Sequence, residues 1–236
     1  MRKLGPLYGG AVALVHSTPW RWPLEIGDEA RSPGWVVAIA LPIGFCAWLV
    51  AALARTAGIP NAVASALGMA ALSLASAALI ERGVADRVDA WQRESRGPGV
   101  AAILALVFTT LIRVVAFMAL APDRWLAVLV ATAVVGRWAA VFLQALGDPI
   151  LDDHSPRSLV ATPSPAWLTV LLSAGALVLA VLALGKGGVA AVAITAAMAF
   201  VLGVDAQRRD HGLTAPVVAM AAAIGELCVL LVACAS

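Results

Sequence analysis

Residues 98–121 read PGVAAILALVFTTLIRVVAFMALA, an apolar run whose one charged residue is Arg113. A bilayer's hydrocarbon core is about 30 Å thick and a helix needs about 20 apolar residues to cross it. Six further stretches qualify or come close: 34–56, 60–80, 124–146, 165–185, 187–205 and 213–235. Helix-breaking residues fall between the runs: Pro33-Gly34, Gly58-Ile59-Pro60, Gly97-Pro98-Gly99, Pro122, Pro163-Ser164-Pro165 and Gly185-Lys186-Gly187-Gly188. The composition agrees. Of 236 residues, 62% are hydrophobic and 13% charged, with a mean hydropathy of +0.94. Soluble domains run at about 45–50% apolar and about 25% charged. The expectation is an all-α, polytopic integral membrane helical bundle of about seven transmembrane helices, forming a single domain over 1–236.

Residues 1–33 read as a cytoplasmic or interfacial segment. Leu7–Leu14 is expected as an interfacial or re-entrant helix, with Trp20 and Trp22 at headgroup level. The segment lacks the strong apolar core and small-residue cleavage site of a signal peptide. Cys46, Cys228 and Cys234 lie inside apolar runs without zinc-like spacing, and are expected as buried thiols. A net charge of +2 is too small to imply a nucleic-acid partner.

The Lys/Arg distribution orients the bundle. Arg2, Lys3, Arg21, Arg31, Arg82, Arg87, Arg93, Arg96, Arg157, Arg208 and Arg209 fall on one side, against Arg55, Arg124 and Lys186 on the other. That bias predicts a cytoplasmic N-terminus and an external C-terminus. Arg113, Arg137 and Glu226 sit within apolar helices. A charge at the bilayer centre costs on the order of 2.5–3.5 kcal/mol on insertion scales, so such residues face the bundle interior and find partners. Counting about 1.5 Å per residue, Arg113 and Glu226 lie roughly 22 and 20 Å from the cytoplasmic face, which predicts that they pair. Arg137, roughly 14 Å deep, is a candidate for either a structural pair or a phosphate-bearing ligand.

The densest polar stretch is Glu81-Arg82-Gly83-Val84-Ala85-Asp86-Arg87-Val88-Asp89-Ala90-Trp91-Gln92-Arg93-Glu94-Ser95-Arg96, read as a cytoplasmic loop over 81–97. If it continues the second span as a helix, Asp86 and Asp89 share a face at i, i+3. Paired carboxylates at that spacing suit Mg²⁺, which accepts one or two carboxylates and leaves room for phosphate oxygens. The competing reading is a solvated helix face, because Arg82–Asp86 and Asp89–Arg93 are i, i+4 pairs of opposite charge.

The segment Gly83-Val84-Ala85-Asp86-Arg87-Val88-Asp89 resembles the D-G-x-A-D-x-x-D-G signature of the cobalamin synthase family, the adenosylcobinamide-GDP ribazoletransferases. Other stretches follow in the family's order. Ala13-Leu14-Val15-His16-Ser17-Thr18-Pro19 is similar to its N-terminal F-x-T-R-I/L-P, and Leu41-Pro42-Ile43-Gly44 to its F-P-L-I-G. Glu94-Ser95-Arg96-Gly97 resembles D-S-R-x-G, and Gly136-Arg137-Trp138 resembles S-R-W. Gly212-Leu213-Thr214 and Gly225-Glu226-Leu227 sit like G-G-x-T-G-D and G-E-L. The resemblance implies a Mg²⁺-dependent membrane transferase. The 5′ hydroxyl or phosphate end of α-ribazole would attack the cobinamide-bearing phosphate of adenosylcobinamide-GDP, GMP would leave, and adenosylcobalamin or its 5′-phosphate would form. Carried over by position, Asp86 and Asp89 would be catalytic metal ligands, while Ser95, Arg96, Arg137 and Thr214 would bind substrate. Protein partners would be other enzymes of the pathway or a second copy of the chain.

The chain departs from the pattern. Arg82 stands at the family's first Asp, Ile80 at its His, Ala90 at the closing Gly, Ala215-Pro216 at Gly-Asp, and Ala223 at a Glu. A cation 4 Å from a carboxylate interacts by about 4 kcal/mol at an effective dielectric of about 20, and so competes with a metal. The second reading is therefore a homologue without the chemistry, acting as an accessory or corrinoid-binding membrane protein. A small transporter is less well supported, because the polar residues collect in loops on one side. A CDP-alcohol phosphotransferase would need more aspartates at longer spacing. Asp152-Asp153-His154 and Asp205, Asp210-His211 are candidate extra ligands, with solvated loop groups as the simpler reading; His16 reads as interfacial.

Overall fold

The computed structural model describes residues 7–19, 32–92, 99–147, 159–162 and 164–236. Its elements are α1 (Leu7–Ser17), α2 (Pro33–Ala38), α3 (Ala40–Thr56), α4 (Asn61–Ala75), α5 (Leu79–Gln92), α6 (Val100–Met118), α7 (Trp125–Leu146), α8 (Ala166–Leu184), α9 (Lys186–Asp210) and α10 (Ala215–Ala235), with a 3₁₀ turn at Pro122–Arg124. The protein is an all-α polytopic bundle, as its composition requires. Six helices are long and apolar enough to cross a membrane, α2 and α3 running together as Pro33–Thr56.

The seventh crossing, expected as a straight span at 60–80, is broken. α4 and α5 pass the same test only as a pair, and they meet at 77°. Contacts at both ends lay the pair along α6, and counted as one span it is the seventh. A side chain at Gly68 of α4 would lie near Phe117, towards the far end of α6. At the other end, Asp89 of α5 accepts the backbone N–H of Gly99, just ahead of α6. The break falls at Ser76-Ala77-Ala78, where both alanines have φ of 53°. Left-handed backbone costs a non-glycine residue about 1–2 kcal/mol, so the surroundings must hold it. Ser76 Oγ donates to Leu72 O at 2.9 Å, and Glu81 stands in the first turn of α5, where the helix dipole favours an acid.

The stretch expected as a loop at 81–97 is therefore helical as far as Gln92, and the part beyond lies outside the described residues. Ile80, Gly83, Val84 and Arg87 share a buried face of α5, which packs on α10 and α6. Gly83 permits the approach, since a Cβ there would collide with Ala219.

α7 forms the centre and is buried on every side over 131–141. It crosses α10 where Gly136 faces Gly225: a Cβ on Gly225 would meet Gly136 Cα and Val135 O at 3.0 Å. In lipid, helices associate by close packing rather than by hiding apolar surface, and small residues make that approach. The outward faces of α6, α8 and α9 carry exposed Leu104, Phe108, Val170, Leu182 and Phe200, a surface that lipid would solvate. Cys46 and Cys234 are free thiols exposed on the outside of the bundle and Cys228 is half-buried, which corrects the expectation of three buried thiols. The reason is that a lipid-facing position selects for apolarity just as a core does.

Candidate functional site

The break between α4 and α5 lies beside a buried cluster of two carboxylates and two guanidinium groups. Arg113 of α6 donates through Nη1 to Glu81 at 2.7 Å and through Nη2 to Glu226 of α10. The expected Arg113–Glu226 pair is thus present, with Glu81 as a second partner. Ser73 donates to the same Glu81 oxygen. Arg137 of α7 is fully enclosed and gives Nη2 to Ser76 Oγ at 3.0 Å. The glycine crossing brings α7 and α10 close enough for Gly136 to face Glu226 Cγ. Formal charge cancels across the four groups, as buried charges in a membrane require. Glu81 Oε2, Glu226 Oε1, Arg113 Nε, and Arg137 Nε and Nη1 are buried without a hydrogen-bond partner among the described residues.

A second cluster joins the lower half of α5 to the end of α9. Arg87, 2% exposed, donates through Nη2 to Asp205 at 2.9 Å and through Nη1 to Asp210. Trp91 donates its indole N–H to Asp205 at 3.1 Å, and Arg209 binds the other Asp205 oxygen at 2.7 Å.

Asp86 and Asp89 stand apart from both clusters. Asp86 is exposed and meets Arg82 at 3.6 Å, both side chains being at least half in the open. An ion pair so exposed contributes about 1 kcal/mol or less, well below the roughly 4 kcal/mol that a half-shielded cation would exert. Arg82 therefore does not block a cation by itself. Asp89 uses Oδ1 to accept Gly99 N–H at 2.8 Å. Among the described residues no three Asp, Glu, His or Cys side chains gather as a metal cage. Two carboxylates one helical turn apart would fit Mg²⁺ that takes its remaining ligands from phosphate oxygens and water. They do not fit a site that holds the metal alone.

The structure thus places Asp86 and Asp89 three residues apart on α5, each with a different partner, and puts Arg137 in the enclosed cluster at the break. Thr214 is the residue preceding α10, on the stretch that follows Asp210. Ser95 and Arg96 lie outside the described residues. Sequence reasoning missed Ser76, Glu81 as a partner of Arg113, and Arg87 as the buried partner of Asp205 and Asp210. A signal for Arg87 was available: Ile80, Val84, Arg87 and Trp91 recur at the 3–4-residue spacing of one helix face. A groove of about 230 Å³ between α7 and α9 is lined by Leu143, Leu146, Phe200, Val204, Gln207, Arg208 and Leu213, and by no residue of α5.

A family model described as cobalamin-5-phosphate synthase matches residues 11–234. No curated protein and no solved structure matches the chain.

Proposed function

The chain belongs to the cobalamin-5-phosphate synthase family, an enzyme family of cobalamin biosynthesis acting in nucleotide-loop assembly, and from that premise we propose a specific reaction. It joins adenosylcobinamide-GDP to α-ribazole, or to its 5′-phosphate, and releases GMP. The observation that carries this reading is the pair Asp86 and Asp89, carboxylates one turn apart on α5 that neither buried cluster uses.

A ribose hydroxyl of α-ribazole attacks the phosphorus bearing cobinamide. One P–O bond forms to that ribose, the bond to the bridging oxygen breaks, and GMP leaves with that oxygen while the hydroxyl proton is lost. Where the product keeps its 5′-phosphate, as the family's description says, the attacking oxygen belongs to another ribose carbon. Mg²⁺, when bound, neutralises charge on the diphosphate. Asp86 and Asp89 would hold it. Arg82, whose exposed pair with Asp86 is weak, would offer its guanidinium to a phosphate oxygen. Ser95, Arg96 and Thr214 are proposed as further phosphate contacts. Arg137 has no exposed surface and already binds Ser76, so in this reading it supports the break. An inner-membrane location with the N-terminus cytoplasmic and the C-terminus outside puts the two carboxylates where soluble nucleotides reach them.

Full-length protein in nanodiscs, given adenosylcobinamide-GDP, α-ribazole 5′-phosphate and Mg²⁺, is expected to release GMP. Asp86→Asn and Asp89→Asn should each lower the rate at least 100-fold. Arg82 at the position of the family's first Asp, which removes a carboxylate from the motif, favours the alternative, a corrinoid-binding homologue without turnover. Binding of adenosylcobinamide-GDP with no Mg²⁺-dependent GMP release would decide for it.

A further inference from the structure

Arg87 sits between Asp86 and Asp89 in sequence, yet a helix turns about 100° per residue, and Arg87 lies on the buried side of α5. There its guanidinium is a bridge to another helix. Nη1 binds Asp210 and Nη2 binds Asp205, two acids more than a turn apart on α9. The fork therefore fixes both the height and the rotation of α5. Trp91, one turn further on, stacks its ring 5.4 Å from the Arg87 guanidinium carbon while donating to Asp205. The cation also lies at the C-terminal end of α9, the negative end of that helix's dipole. α5 packs its backbone on α10 and α6 rather than on α9, so these side chains are what tie it to α9. The tie matters because α5 hangs from a strained break and continues at 77° to α4.

We propose that Arg87 is a positioning residue, a buried fork that holds α5 against α9 and so sets the direction in which Asp86 and Asp89 present their carboxylates. This rests on the transferase reading above. A lysine would keep the charge and lose the fork, because one ammonium cannot reproduce a planar two-ended donor.

The test uses the full chain in nanodiscs, with Arg87→Met, Arg87→Lys and Asp210→Asn. Arg87→Met should raise the Mg²⁺ concentration for half-maximal GMP release at least tenfold and lower kcat at least tenfold. General loss of folded protein would lower the rate without moving the half-maximal Mg²⁺ concentration. Arg87→Lys should fall between Met and wild type. Independently of turnover, spin labels at Gln92→Cys and Arg208→Cys, with native cysteines replaced by alanine, report the α5–α9 distance. That distribution should broaden in Arg87→Met and in Asp210→Asn. Wild-type Mg²⁺ dependence together with an unbroadened distribution in Arg87→Met overturns the proposal. If Arg87→Met does not accumulate as folded protein, Arg87→Lys and Asp210→Asn carry the same comparison. A wild-type chain that releases no GMP defeats the transferase reading instead, and the distance distribution then decides the clamp alone, broadening for it and constancy against it.

Discussion

Arg113 donates to two carboxylates in the middle of the bundle, and the chemistry of that group sets what single substitutions do. Glu226→Ala leaves a desolvated guanidinium with Glu81 alone, and removing one partner of a buried pair costs about 3–5 kcal/mol. Denaturant titration of the purified protein in mixed micelles should show that loss. The double variant Arg113→Met with Glu226→Leu removes that pair but leaves Glu81 without its guanidinium, so it is expected to recover only part of the loss; a double variant less stable than either single one would contradict the account. Ala77 and Ala78 give the opposite sign. Glycine bears no left-handed penalty but loses more freedom on folding, so Ala77→Gly should stabilise by about 1 kcal/mol in the same titration. The Arg113–Glu226 pair was legible in the sequence because both residues count to the same depth. Glu81 was not, because a straight second span leaves it at the membrane face. With the 15 residues of α4 and the 14 of α5 sharing one crossing, it lies near the middle.

At the level of elements, the arrangement depends on helices approaching at glycines. Gly225 meets the backbone of α7, whereas Gly175 of α8 faces open space. Gly225→Leu forces α7 and α10 apart and displaces Glu226 from Arg113. It is expected to abolish the monodisperse size-exclusion peak of a fluorescent fusion, while Gly175→Leu leaves that peak in place. The six straight crossings and the apolar stretch at 60–80 could be read from run length and Pro/Gly punctuation. The break within 60–80 could not: Ser76-Ala77-Ala78 holds no proline or glycine to announce it. What pins it is the contact of Arg137 with Ser76 and the ties of α5 to its neighbours, and these come from distant parts of the chain.

For the whole molecule, the Lys/Arg bias and seven crossings predict opposite sides for the two termini. Alkaline phosphatase fused after Ser236 should be active in cells and green fluorescent protein at the same place dark; the reverse result would remove one crossing from the count. Membrane character, approximate span positions and family membership were determined by the sequence alone. Transfer of apolar residues into lipid adds up along the chain, and motif residues keep their spacing wherever the helix lies. Apart from the Arg113–Glu226 pair, the tertiary structure decided which charges became buried structure and which stayed exposed. Arg87 is clamped by Asp205 and Asp210, and Arg113 by Glu81 and Glu226, while Asp86 keeps only an exposed pair. Pairing energy falls off over a few ångströms and depends on burial, so it is set by where distant helices meet, and no local reading of the chain contains that distance.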